Sequence, residues 1–98
     1  MHDTDKITIN VIGAGQWGPN LIRNFSTSPR SQVGMICDID DKKLQSLSAR
    51  FPGVQLTGNS DQAINDPSAD AVAITTPVST HYELAHTALL ADKHVFVE

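Results

Sequence analysis

Residues 7–18, ITINVIGAGQWG, constrain this chain more than any other stretch. An apolar run (Ile7, Ile9, Val11, Ile12) leads directly into Gly13, Gly15 and Gly18, spaced G-x-G-x-x-G. The run reads as a buried strand. The next residues read as a helix: Trp17, Leu21 and Phe25 fall at i, i+4 and i+8, and Pro19 sits in the first turn, where a missing N–H costs little. Strand, glycine turn and helix in that order aim free backbone N–H groups and a positive dipole end at one point, where a phosphate is bound. A dinucleotide site of this kind also needs an acid about 20 positions on, at the end of the next strand, to take the ribose hydroxyls. Asp38 closes the run VGMICD, 20 residues past Gly18. Gly13 then serves the tight turn, Gly15 the approach of the pyrophosphate to the backbone, and Gly18 the close packing of helix on strand.

The rest of the chain repeats the strand-helix alternation. Ser26-Thr27-Ser28-Pro29 ends the first helix, and Gln32 to Cys37 is the second strand. Asp40 caps a helix with Leu44, Leu47 and Phe51 on one face, its charges placed to suit the dipole and its end set by Pro52-Gly53. Val54 to Leu56 is a short strand, and Ser60 caps a short helix that runs through Ile64. Asp70 to Thr75 is a strand with both faces covered, broken by Thr76-Pro77. Ser79 or Thr80 caps a helix with Leu84, Ala88 and Ala91 on one face beside Ala85 and Leu89, and His94 to Val97 is the fifth strand. Alternation of this kind predicts parallel βαβ units with right-handed crossovers. The expected fold is therefore α/β, a Rossmann-type doubly wound parallel sheet of five strands in the order 3-2-1-4-5, as one domain over residues 1–98.

Composition narrows the function. A net charge of −4 with scattered Lys and Arg argues against a nucleic-acid surface. The apolar stretches are strand-sized and the polar lead-in MHDTDK has no apolar core, so neither a membrane span nor a signal peptide is expected, and the cytoplasm is the default. Cys37, the single cysteine, lies inside a strand and reads as a buried structural thiol. No Cys, His or acid spacing suggests a metal site. His2 reads as part of a loose terminus, His86 as a surface residue and His94 as structural, because it opens its strand at the edge away from the ligand.

Ligands of open α/β sheets sit beyond the carboxyl ends of the strands. Asp38 then serves the adenosine half of a dinucleotide, and Thr75, Thr76, Pro77 and Glu98 face the nicotinamide half. A carboxylate at Asp38 favours NAD over NADP, since it repels a 2′-phosphate; Lys42 and Lys43 are the nearby cations that oppose that preference. His81, in the first turn of its helix at the same edge, either lines a substrate pocket or packs.

The combination of VIGAGQWG, CDID, Asp70-Ala71-Val72-Ala73-Ile74-Thr75 and TTPVSTHYELAHTALLADKHVFVE resembles the Gfo/Idh/MocA oxidoreductases, which include glucose-fructose oxidoreductase and inositol dehydrogenases. The likeness spans nearly the whole chain. It implies hydride transfer between NAD or NADP and a hydroxyl carbon of a sugar, cyclitol or related compound, and Trp17-Gly18 with Asn20 looks like a branch acting on nucleotide-linked sugars. It further implies that Gly13, Gly15, Gln16 and Trp17 hold the pyrophosphate through backbone amides and that Asp38 holds the ribose. By the same likeness Thr76, Pro77 and His81 border the nicotinamide ribose, and Glu98 belongs to a Glu-Lys-Pro motif. The sequence stops inside that motif, before its lysine, and before the substrate domain of the family. Two readings stay open: the cofactor part of a sugar-type dehydrogenase, inactive by itself with His81 as its remaining candidate base, or a stand-alone nucleotide-binding module. Val95 and Val97, on an edge strand without cover, predict self-association.

Overall fold

A computed structural model describes residues 6–13, 15 and 18–97. The elements alternate as expected: β1 (Ile7–Ile12), α1 (Gly18–Thr27), β2 (Ser31–Cys37), α2 (Asp41–Arg50), β3 (Gln55–Thr57), α3 (Ser60–Ile64), β4 (Ala71–Ile74), α4 (His81–Leu90) and β5 (His94–Val97), with a 3-10 turn (Val78–Thr80) leading into α4. The five strands form one sheet in the order β3-β2-β1-β4-β5, and every neighbouring pair is parallel.

Alternation along each strand divides the apolar residues between two faces. Ile12, Met35, Cys37, Val72 and Ile74 meet Ala63 and Ile64 of α3 and Ala88 of α4 on one side. Val11, Ile36 and Ala73 meet Ile22 of α1 and Leu44 and Leu47 of α2 on the other. Helices therefore cover both faces, the doubly wound arrangement.

Several local expectations need correction. The buried stripe of α1 runs through Gly18 and Ile22, with Phe25 packed at its margin, so it lies one position beyond Leu21. Asn59, not Ser60, caps α3; its side chain accepts from the N–H groups of Asp61 and Gln62. Neither Ser79 nor Thr80 caps α4 through its side chain, because the 3-10 turn already supplies the approach. Leu89 is 61% exposed and so leaves the expected apolar face, while Leu84, Ala85, Ala88 and Ala91 pack on the core as expected. On β5, Val95 is packed against the core and the open residues are Phe96 and Val97, Phe96 standing edge-on to Phe25 at 6.3 Å. β3 begins one residue later than expected, at Gln55.

One buried polar residue has no counterpart among the sequence expectations. Asn10 of β1 is fully buried, and its Nδ2 donates to the Ala63 carbonyl and to Asp66 Oδ2, tying α3 and the loop after it to the centre of the sheet. The Asn10 bond, first among several, holds the Asp66 carboxyl below its usual range. Opposite Asn10 the pairing of β1 with β2 shifts register, so that Gly34 and Met35 share the place of one residue. Lys93 fastens the same loop from the other side, its Nζ donating to the carbonyls of Asp66 and Ala69 at 2.6 Å each.

Candidate functional site

The sheet order reverses between β1 and β4, and the chain leaves their carboxyl ends toward opposite faces, α1 packing on one side of the sheet and α4 on the other, which opens a crevice there. The loops at that edge enclose a cavity of about 900 Å³, within the usual range for small-molecule sites.

Gly13 is the knot of the floor. Its φ is +95°, a conformation that residues with a Cβ rarely adopt. Its N–H donates to the Cys37 carbonyl at 2.8 Å, and its own carbonyl accepts from Thr75 Oγ1 at 2.5 Å. The ends of β1, β2 and β4 are thereby tied together. A Cβ on Gly13 would lie 2.9 Å from Thr75 Oγ1 and from the Thr76 backbone nitrogen, and one on Gly18 would lie 2.8 Å from the Gly13 carbonyl. Among the described residues, a Cβ on Gly15 would meet nothing within 4 Å. Two of the glycines are thus demanded by the protein's own packing, while the third leaves backbone open to the cavity.

The β2 wall carries Asp38. Its N–H donates to the Thr57 carbonyl, and its Oδ1 accepts the Asp40 N–H at 2.8 Å. Asp40 in turn accepts the Lys42 N–H and caps α2, so two successive side-chain turns orient the carboxylate at the end of the strand. Cys37 beneath it is buried; desolvation, and secondarily the charge of Asp38, push its thiol up to about 11. Ile39, Lys43, Gly58 and Ser60 complete this wall.

The β4 wall is built from Thr75, Thr76, Pro77, Val78, Thr80 and His81. Thr80 Oγ1 donates to the Pro77 carbonyl at 2.7 Å and lies 2.6 Å from Thr76 Oγ1. His81 Nε2 is 2.7 Å from the Thr76 carbonyl oxygen, which can only accept, so the ring proton sits on Nε2.

Residues 7–98 match the family model of the GFO_IDH_MocA oxidoreductases, the NAD-binding Rossmann fold. The chain belongs to this family. Among its relatives, inositol 2-dehydrogenase of Acidothermus cellulolyticus is 32% identical over 97 residues, which cover 97% of this chain and 28% of that protein. The crystal structure of GenD2 from gentamicin A biosynthesis in complex with NAD superposes with a TM-score of 0.88 at 27% identity, covering 99% of this chain and 28% of the other. Scyllo-inositol dehydrogenase from Lactobacillus casei, with bound NAD(H) and scyllo-inositol, superposes at 0.87 with 24% identity over 94% of this chain and 27% of that one, a likeness of fold. The chain thus spans roughly a quarter of the length of the relatives it matches.

Within this family domain the cavity gathers Gly13, Gly15, Asp38, Thr75, Thr76, Pro77 and His81 from the residues singled out by sequence. Gly18 stays behind the loop, against Gly13. Gln16, Trp17, Glu98 and His2 lie outside the described residues. His94 is exposed at the start of β5, and His86 is exposed and stacked on Tyr82 at 5.7 Å. Among the described residues no group of His, Cys, Asp or Glu could hold a metal ion. Sequence reasoning missed Ile39, Gly58, Ser60, Thr80 and Glu83 as cavity residues. Of these, Ile39 had a readable signal: it follows the acid directly, in an exposed loop, and is 95% exposed.

Proposed function

We propose that residues 1–98 form the cofactor domain of a dehydrogenase in which hydride passes between NAD and a hydroxyl carbon of a sugar, cyclitol or nucleotide sugar. The observation that carries this reading is the cavity's division of labour: open backbone at Gly15 on the floor, a carboxylate on one wall and threonine hydroxyls on the other. The residues fit a dinucleotide. Gly15, with Gln16 and Trp17 of the same loop, receives the pyrophosphate, aided by the amino end of α1. Asp38 accepts from the adenosine ribose, flanked by the exposed side chain of Ile39, and Thr75, Thr76, Pro77 and His81 border the nicotinamide half, where Glu98 also belongs.

NAD, when bound, supplies the two-electron acceptor for the hydride. These residues hold it and orient it. The substrate contacts and the base that takes the hydroxyl proton are assigned to the part of the relatives' length that this chain does not span. Residues 1–98 by themselves therefore bind without turnover.

The preference is for NAD over NADP, because Asp38 repels a 2′-phosphate. Lys43 on the same wall moderates that preference without reversing it. We place the protein in the cytoplasm, apart from nucleic acid and membrane, supported by its acidic balance and by the lack, among the described residues, of a helix long and apolar enough to cross a bilayer. Self-association through the β5 edge is supported by the exposure of Phe96 and Val97.

The test is calorimetric titration of the chain with NADH and NADPH, for wild type and Asp38→Ala, alongside a search for NADH production with sugars and cyclitols. NADH is expected to bind more tightly than NADPH, and Asp38→Ala to narrow the gap at least tenfold. No dinucleotide binding, or tighter NADPH binding by the wild type, would sink the reading.

A further inference from the structure

The hydrogen bonds of the β4 wall fix where its protons point. A threonine hydroxyl has one proton to give. That of Thr80 goes to the Pro77 carbonyl at 2.7 Å, so the 2.6 Å contact between Thr80 Oγ1 and Thr76 Oγ1 must be donated by Thr76. The proton of Thr75 goes to the Gly13 carbonyl. The Nε2 proton of His81 goes to the Thr76 carbonyl at 2.7 Å.

We propose that Thr80 and His81 are positioning residues of the cavity: they turn the protons of the Thr76 turn back onto the protein, so that the wall offers a ligand hydroxyl lone pairs and no hydroxyl donor. The proposal rests on the reading that this cavity holds a dinucleotide, and it assigns a polarity to it. The β4 wall suits ligand groups that donate, such as ribose hydroxyls or a carboxamide N–H, and is unsuited to phosphate oxygens, which are left to the glycine loop. The turn also abuts that loop, since a Cβ on Gly13 would meet Thr76 Cγ2 and the Thr76 nitrogen at 2.9 Å each. A displaced Thr76 therefore disturbs the phosphate floor as well. For His81 the consequence is specific. Its Nε2 is committed to the backbone, so His81 orients the turn and does not act as a base through that nitrogen.

Two measurements on the 98-residue chain test this. The first needs no variant: long-range proton-nitrogen NMR at alkaline pH is expected to show the His81 ring as the Nε2–H tautomer before any ligand is added, and an Nδ1–H signature would overturn the proposal. The second is NADH affinity in paired variants, each checked for folding by circular dichroism. Thr80→Val and His81→Leu, which remove the bonds, are expected to weaken binding about five- to tenfold, the size of one net hydrogen bond. Thr80→Ser and His81→Gln, which keep a donor in place, are expected to recover most of it. Conservative variants binding no better than the disruptive ones would refute a positioning role. Failure of the wild type to bind NADH would instead count against the proposed function, and the tautomer would then decide the present proposal alone.

Discussion

Placing alanine at Gly13 and at Gly15 is chemically the same change, and the structure assigns the two opposite outcomes. At Gly13 the side chain enters a backbone with φ +95° and lands 2.9 Å from Thr75 Oγ1, Thr76 Cγ2 and the Thr76 nitrogen. Two of those contacts are side-chain atoms, but Thr75 Oγ1 is held by the Gly13 carbonyl and the third contact is backbone, so little can yield. The conformational term is about 1–2 kcal/mol and the overpacking term about 1–3 kcal/mol, together about 2–5 kcal/mol. Against a total stability of about 5–15 kcal/mol for a domain of this size, that loss moves a urea midpoint by about 1–3 M. At Gly15 an added Cβ meets no atom of the other described residues within 4 Å, and φ is outside the left-handed region. Alanine there leaves the midpoint unchanged or raises it slightly, through the unfolded chain. Gly15→Val, with the same open space around it, keeps the fold and abolishes NADH binding, because its side chain occupies the place of the pyrophosphate. Urea unfolding followed by circular dichroism, with NADH titration of each variant, separates the cases. Equal destabilisation by the two alanines would mean that Gly15 does not face open space, and unchanged affinity in Gly15→Val would mean that the loop does not face the cofactor.

Two further outcomes are expected. The Cys37 thiol ordinarily titrates at 9.0 and is held at about 11 in the folded chain, so the unfolded chain releases its proton first. Stability from this group is complete below pH 9.0 and is lost as pH rises toward 11; urea midpoints across that window should fall more steeply than those of Cys37→Ala, and parallel profiles would refute it. Static light scattering at rising concentration should show mass above the monomer, reduced by Phe96→Lys or Val97→Lys on β5. A monomer at every concentration would refute the open edge as a contact.

Sequence spacing was sufficient for the sheet order and for the place of Asp38 at the carboxyl end of β2, because each rests on periodicity or a fixed offset that local geometry enforces. The face of α1 was displaced by one position for a physical reason: Gly18 has no hydropathy to register, although it is buried in line with Ile22 and a side chain there would meet the Gly13 carbonyl at 2.8 Å. On α4, Leu84, Ala85, Ala88, Leu89 and Leu90, with Ala91 at its end, are apolar nearly all round, so periodicity could not show that Leu89 and Leu90 face outward. Asn59 and Ser60 are both good caps, and only the extended backbone at Asn59 decides between them. The cavity was half legible. Residues at strand ends follow from the topology, whereas Gly58 and Thr80 reach the cavity on turns, and Glu83 on the start of α4 that such a turn places, by paths the pattern does not encode. Asn10 escaped because a single polar residue in an apolar strand carries no sign of whether it is buried and paired.

The bulge beside Asn10 restricts the order in which this sequence can change. A side chain at Gly34 would begin 2.8 Å from Asn10 Oδ1 and 2.8 Å from Thr8 Cγ2, so position 34 is closed while Asn10 keeps its two bonds to α3 and Asp66. Shrinking Asn10 first removes one of the two contacts, leaves Thr8 Cγ2 in the way, and takes the Asn10 donor from the Ala63 carbonyl, a step that costs stability before any gain is available. Each change is harmful alone, and neither prepares the ground for the other. Drift therefore reaches a differently packed sheet only by altering both positions together, and a designer recombining this domain with a relative should exchange β1 and β2 as one block.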